Sequence, residues 1–115
     1  MNMFTYKYDL KLLQLMIYYE LDYFEEAFSM LDSFRHFLAN NKNVSERRGK
    51  SHEEFTNCYT DLLKCKTENS KKKPDEIKQE LKTVYDSLRY KDWLYAKADE
   101  LIDKVKTKQK IYKGI

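Results

Sequence analysis

The sequence predicts an all-α protein, and three observations carry that prediction. Only two glycines and one proline occur in 115 residues, whereas a sandwich or barrel of short strands needs a turn residue about every 8–12 positions. Apolar residues recur three and four positions apart along most of the chain, which is the spacing of one helix face. They also make up 42% of the chain, enough for a core in a single domain. We therefore expect one domain, residues 1–115, of about five antiparallel helices.

The first predicted helix, over residues 8–21, is apolar on two faces. One stripe consists of Leu10, Leu13, Ile17 and Leu21. The other consists of Leu12, Leu15, Met16 and Tyr19. A helix that is apolar on two faces is buried on two faces. We expect the first stripe to pack on the second helix and the other stripe to point away from that hairpin.

The stripe that points away is the candidate partner interface, and it comprises Leu12, Leu15, Met16 and Tyr19. If neither the N-terminal segment nor the third helix covers it, it adds to an exposed patch of several hundred Å², the kind that marks an interface. Tyrosines crowd the same region, and tyrosine suits interfaces because it is large, fairly rigid and polar at its tip. The expected consequence is two-fold pairing of first helices in a homodimer.

The second predicted helix, over residues 23–39, completes an antiparallel hairpin with the first. Asp22 followed by Glu25 resembles a capping box, a common helix start. The join between the two helices is only one or two residues long, which requires antiparallel packing.

Three further helices are predicted over residues 51–106, after a loop over 44–50. Ser51 and Glu54 form a capping box that predicts the start of the third helix at Ser51. The inward stripes of the three helices are Phe55, Cys58, Leu62 and Cys65, with Tyr59 beside them; Ile77, Leu81, Val84 and Leu88; and Leu94, Ala98, Leu101 and Val105.

The connections between these three helices are predicted from different sequence signals. Residues 67–73 are polar and lysine-rich, which indicates a linker, and Pro74 followed by two acidic residues is typical of a helix start. The break before the fifth helix is expected near Tyr90. The lysine-rich tail, residues 107–115, is expected to fray.

The two cysteines are predicted to be free and buried. Cys58 and Cys65 stand seven residues apart, which on a helix places their Cα atoms about 10 Å apart. A disulfide needs less than about 7 Å. Two small core residues in a reducing compartment are the expected outcome.

The histidine, cysteine and acidic residues do not occur at the spacings of common catalytic or metal sites. His52 and Glu53 begin like a zinc-protease motif, but the second histidine is missing. His36 and His52 are both expected at the surface. We predict no catalytic residue, no metal site and no cofactor, and hence no enzyme.

The charge is unevenly distributed and raises one alternative function. Residues 1–40 carry three basic and six acidic residues, whereas residues 41–115 carry nineteen basic and thirteen acidic ones. The basic runs 64–73 and 104–113 are candidate phosphate contacts. No motif that reads RNA or DNA accompanies them, so solvated faces are the expectation. A small basic domain that binds nucleic acid is the alternative function.

The sequence predicts neither a membrane span nor a signal peptide. Its most apolar run, residues 10–19, includes Lys11 and Gln14 and falls short of the ~18–20 apolar residues of a span. It also lacks a small-residue cleavage site. A cytoplasmic protein without a membrane partner is expected.

Residues 13–38 resemble one tetratricopeptide-type (TPR) repeat. That family has a small residue and then a tyrosine three positions on in its first helix, and Ala-x3-Phe in its second. Leu15 and Tyr18 occupy the first pair of places here, and Ala27 and Leu31 the second pair. The chain differs from the pattern at Leu15, which is not small, and no proline closes the unit. Helices three to five do not repeat the pattern.

The whole chain is also similar to the C-terminal part of uncharacterised bacterial TPR-like proteins. This resemblance implies a TPR-like stack of helical hairpins over residues 8–39 and beyond. It implies a non-catalytic protein-protein interaction scaffold, the terminal part of a helical repeat array. The implied partner is another protein or upstream repeats of the same chain, and no ligand is implied.

Overall fold

The computed structural model describes residues 3–40, 46–85, 88 and 90–113, and within them the fold is all-α, as predicted. These residues form five helices and no strand. The helices are α1 (Met3–Glu20), α2 (Phe24–Asn40), α3 (Glu46–Lys66), α4 (Pro74–Thr83) and α5 (Lys91–Lys113).

Side-chain contacts fix the direction of the first three helices. Tyr8, near the start of α1, meets Phe34 and Phe37 near the end of α2, with ring centroids 5.6 and 5.1 Å apart. Phe34 in turn meets His52 near the start of α3, at 6.1 Å. Each helix is therefore antiparallel to the next, and the predicted α1–α2 hairpin is present.

The second half of the chain continues the alternation. Lys78 on α4 pairs with Asp99 on α5 at 2.6 Å, and the ammonium of Lys82, one turn further along α4, lies over the Tyr95 ring, one turn earlier on α5. α5 thus runs antiparallel to α4. The helices α1, α3 and α5 run one way and α2 and α4 the other, with α3 packed against α2, α4 and α5.

The core is one cluster centred on α3, and most of the inward stripes predicted for helices three to five belong to it. Tyr59 on α3 is fully buried, and its hydroxyl donates a hydrogen bond to the backbone carbonyl of Leu15 on α1. The largest fully buried side chains are Tyr8, Tyr59, Phe34, Phe55, Leu12, Leu15, Leu62, Leu63, Ile77, Leu81, Leu94 and His52.

Four helix boundaries differ by several residues from the sequence prediction. α1 begins at Met3 and not at residue 8, and the start of α3 also differs. This helix begins at Glu46, so residues 46–50 are helical, whereas residues 44 and 45 lie outside the described residues. Ser51 is inside the helix and buried, so the Ser51–Glu54 pattern does not mark its start. The preceding residues are good helix formers apart from Gly49, and one glycine costs only about 1 kcal/mol in a helix.

The other two differences lie at the ends of α4 and α5. α4 stops at Thr83, and Val84, predicted to be buried, is 61% exposed. Thr83 and Val84 are both β-branched and therefore poor helix formers. α5 continues through Lys113, so the tail predicted to fray is helical over residues 107–113, because its lysines and glutamine favour a helix. Val105, also predicted inward, is 45% exposed.

Two helices end in the same left-handed turn without a glycine. After α1, Asp22 has φ 60°, and the amide of Tyr23 bonds back to the carbonyl of Tyr18 at 2.9 Å. After α3, Glu68 has φ 63°, and the amide of Asn69 bonds to Lys64 at 2.8 Å. Both are Schellman motifs, which usually place glycine at the left-handed residue. Asp22 therefore closes α1. The sequence had suggested that Asp22 begins α2, and that interpretation is wrong.

The turn at Asp22 gives a direct test of this backbone. Asp22→Gly should be more stable than Asp22→Ala by about 1 kcal/mol, because alanine carries the steric cost of the left-handed conformation and glycine does not. Both variants lose the carboxylate, so the loss of its ion pair cancels in the comparison. Urea unfolding monitored by circular dichroism measures the difference. Equal stabilities would show that residue 22 does not hold a positive φ in solution.

Candidate functional site

The face of α1 predicted to meet a partner lies in the core. Leu12 and Leu15 are fully buried, Tyr19 is 2% exposed, and Met16 is half-buried against the same cluster. The prediction that these four side chains form an exposed contact surface is wrong. Aromatic residues decide the orientation of α1, because Tyr8 and Tyr19 share this face and a buried aromatic ring removes more apolar area from water than an aliphatic side chain does.

The opposite face of α1 is the exposed one. Four aliphatic side chains spaced three and four residues apart leave between 42% and 54% of their surface in water. We call them the outer stripe: Leu10, Leu13, Ile17 and Leu21. They were predicted to pack on α2, so the two faces of α1 are exchanged relative to the prediction. The outer stripe forms a linear apolar patch on the order of several hundred Å².

The C-terminal end of α1 is held by a lysine from α3. The ammonium of Lys66 donates a hydrogen bond to the backbone carbonyl of Tyr19, pairs with Asp22 at 2.6 Å and lies 4.1 Å from the centre of the Tyr19 ring. A cation at a helix C-terminus satisfies carbonyl groups that have no helical partner and interacts favourably with the helix dipole. This contact fixes the rotation of α1 about its own axis.

A second anchor connects α1 to α5. Lys97, only 8% exposed, pairs with Glu20 and with Glu100, and the indole of Trp93 donates a hydrogen bond to Glu20 at 3.2 Å. The hydrogen bond from Lys97 lowers the pKa of Glu20. Burial opposes the charged form of Lys97, but its bonds to the two carboxylates outweigh burial and raise its pKa. Both groups therefore stay charged near neutral pH, and their ion pair connects the C-terminal end of α1 to α5.

The two histidines lie in different environments. His36 is exposed on α2, 3.9 Å from Asp32, as predicted for a surface residue. His52 is 2% exposed, and its ring lies 4.7 Å from that of Tyr8. The prediction of a surface position for His52 is wrong, because α3 begins earlier than the capping pattern suggests and brings His52 onto the inward face.

The cysteines are both free, and they differ in exposure. Cys58 is 1% exposed, and burial raises the pKa of its thiol to about 12. Cys65 is half-buried, so the prediction of full burial holds for Cys58 alone. The Cys65 thiol donates a hydrogen bond to the carbonyl of Lys72 at 3.1 Å, and burial raises its pKa too. Raised pKa values keep both thiols protonated and slow to react near neutral pH.

The two basic runs of the sequence meet in space around a pocket of about 210 Å³. This pocket lies between the end of α3, the 67–73 connection and α5. We call it the lysine pocket. Its apolar lining comes from Cys65, Pro74, Leu101 and Val105.

Five lysines and one glutamate supply the charged lining of the lysine pocket: Lys66, Lys72, Lys73, Lys104, Lys108 and Glu68. Three of these lysines are neutralised within the fold. Lys66 pairs with Asp22 at 2.6 Å, Lys72 with Asp61 and Glu80 at 3.2 and 2.8 Å, and Lys108 with Glu68 at 3.1 Å. Lys73 and Lys104 form no ion pair with any described residue.

Within residues 3–40, 46–85, 88 and 90–113, no three His, Cys, Asp or Glu side chains converge as metal ligands would. None of the helices in that part of the chain combines the length and the apolar character needed to cross a membrane.

Comparison with protein-family models, with curated proteins and with solved structures finds no match.

Sequence reasoning missed both surfaces described here, for different reasons. The outer stripe was recognised as a stripe but assigned to the inside, although the tyrosines at positions 8 and 19 on the other face were a usable signal. The lysine pocket joins segments about 40 residues apart, and no spacing rule connects them. The ion pairs that separate neutralised lysines from Lys73 and Lys104 are visible only in the fold.

The difference in exposure between the Cys58 and Cys65 thiols can be tested by chemical modification. Iodoacetamide at pH 8 should modify Cys65 well before Cys58 in the folded protein, because only Cys65 is accessible and the Cys58 pKa is about 12. Mass spectrometry of Cys58→Ser and Cys65→Ser identifies which thiol reacts. In denaturant both should react at similar rates. Equal rates in the folded state would contradict the burial of Cys58.

Proposed function

We propose that this chain is a non-catalytic protein-protein interaction scaffold, organised like the terminal part of a TPR-like helical array. The observation that carries the proposal is the outer stripe, a charge-free aliphatic surface on the first helix of the stack. Helical arrays bury such faces between neighbouring units, and each unit is stabilised by the next. The alternating directions of α1 to α5 support the comparison, since each added helix packs beside the one before it.

The occupant of the outer stripe is helical in this proposal. From Leu10 to Leu21 the stripe extends over twelve residues, or eleven steps of 1.5 Å along the helix axis, which is about 16 Å. A straight row of side chains three and four residues apart is a ridge that fits the groove of another helix. Neighbouring aliphatic side chains with no charged residue among them favour contact with an equally apolar surface of a partner.

A second copy of the chain is the partner that meets these requirements. Two outer stripes facing each other across a two-fold axis match by construction. Facing each other, the two stripes bury on the order of 800 Å² at most, which is below the about 1,000 Å² of most specific interfaces. The area indicates a weak, reversible dimer.

The alternative function, nucleic-acid binding through the basic half, has less support. Phosphate contacts require cations that are free to exchange counterions, but Lys66, Lys72 and Lys108 are held by carboxylates of the fold. Lys104 and Lys106 are two residues apart and therefore project from nearly opposite sides of α5. Binding of an oligonucleotide that weakens steeply with salt would favour this alternative over the scaffold.

The decisive experiment introduces glutamate at two adjacent positions of α1 and at one control position of α2. Leu13→Glu places a charge in the outer stripe and should leave a folded chain that no longer self-associates. Ser29→Glu is the matched control, since Ser29 is exposed on α2; it should fold and self-associate like the unmodified chain. Leu12→Glu should unfold the domain, because it places an unpaired charge in the core.

Sedimentation equilibrium and circular dichroism separate the outcomes. We expect concentration-dependent dimerisation of the unmodified chain and of Ser29→Glu, with a loss of at least about tenfold in affinity for Leu13→Glu, equivalent to ~1.4 kcal/mol. At about 1 mM, even a dimer with a binding free energy of only ~4 kcal/mol is detectable. An unmodified chain that remains monomeric at that concentration therefore contradicts the proposal. So does a Leu13→Glu chain that dimerises normally.

A further inference from the structure

The lysine pocket combines two properties that the fold itself does not use. Its apolar lining includes Val105, which is 45% exposed although it lies in a concave site. Its charged lining includes Lys73 and Lys104, the two lysines that have no carboxylate partner among the described residues. Apolar surface beside unneutralised cations is the lining expected for an anion that carries an apolar body.

The protein's own carboxylate already illustrates the preference of this site. Glu68 lies in the lining and pairs with Lys108 at 3.1 Å. The hydrogen bond from Lys108, and then the charges of Lys108 and Lys104, lower the pKa of Glu68. The left-handed turn that closes α3 places Glu68 there, since its φ is 63°. The pocket therefore stabilises negative charge, and four carboxylates of the fold, Asp22, Asp61, Glu68 and Glu80, offset part of the charge of its five lysines.

From these observations we propose that the lysine pocket binds a small organic anion, a phosphate or carboxylate on a short apolar body. The anionic group lies between Lys73 and Lys104, and the apolar body lies on Leu101 and Val105. The volume of about 210 Å³ matches the size of a small molecule. Two unneutralised lysines in a small concave site match one anionic group better than a nucleic-acid strand, which needs a row of cations along its backbone.

The probe for this site is phenyl phosphate, with inorganic phosphate and phenol as matched halves. Titrations followed by proton–nitrogen NMR should move the amide signals of Cys65, Ser70, Leu101 and Val105. Phenyl phosphate should bind at least about fivefold more tightly than either half, because only the complete molecule uses both linings. If phenyl phosphate binds no better than inorganic phosphate, the apolar lining takes no part and the proposal fails.

Charge variants locate the site. Lys73→Gln with Lys104→Gln should weaken phenyl phosphate binding on the order of tenfold without affecting the fold, since both side chains are exposed. Lys106→Gln is the control, an exposed lysine two residues from Lys104 and outside the pocket; it should change binding less than about twofold. Glu68→Gln should tighten binding, because it removes the internal carboxylate and releases Lys108.

Two binding results would overturn the site, and so would the absence of Cys65 protection. If Lys106→Gln weakens binding as much as Lys104→Gln alone, the anion interacts with the general charge of α5. The second result is displacement of phenyl phosphate by a single-stranded oligonucleotide whose own affinity falls equally in the double variant and in Lys106→Gln. That result would indicate a polyanion-binding surface and not a pocket.

A separate readout is protection of Cys65 from iodoacetamide by phenyl phosphate. Protection in the unmodified chain that is lost in the double variant supports the pocket, and the absence of protection contradicts it.

Discussion

The buried side chain of Tyr59 is the contact on which the arrangement of the helices depends. Its ring stacks on Phe55 and Trp93 at 5.8 and 6.2 Å and meets the edge of Tyr19 at 5.9 Å. Its hydroxyl donates to the carbonyl of Leu15. Burial raises the pKa of Tyr59 well above its ordinary value, so this hydroxyl remains a donor over the physiological range. One side chain thus joins α1 and α5 to the central helix.

The exposed surfaces follow from this aromatic contact. Because Tyr19 must face Tyr59 and Trp93, α1 turns Leu12 and Leu15 inward and leaves Leu13 and Ile17 in water. The anchors formed by Lys66 and Lys97 then hold that rotation at the C-terminal end of the helix. The same parallel placement of α3 and α5 brings their lysine-rich ends together and forms the lysine pocket. The proposed contact surface and the proposed anion site are therefore both consequences of how the core is assembled.

The sequence was sufficient for the fold class, because helix periodicity and the scarcity of glycine and proline are local properties. It also located Pro74 as the start of α4 and the linker over residues 67–73. It was insufficient for α1, where two apolar stripes compete and only the aromatic partners on α3 and α5 decide between them. It failed at His52 for a related reason, since a capping pattern at Ser51 was overridden by helical residues before it. The sequence did not predict the lysine pocket, because ion pairing depends on neighbours that are distant in the chain.

The proposed contact surface depends on the orientation of α1, which faces the core through Leu12, Leu15 and Tyr19. Nuclear Overhauser contacts of the leucine and isoleucine methyl groups test this orientation most directly. We predict contacts from Leu12 and Leu15 methyls to the rings of α3 and α5, and none from Leu13 or Ile17. A soluble paramagnetic agent should broaden the Leu13 and Ile17 methyl signals and spare those of Leu12 and Leu15. Contacts from the Leu13 or Ile17 methyls to the Tyr59 ring would contradict this orientation of α1.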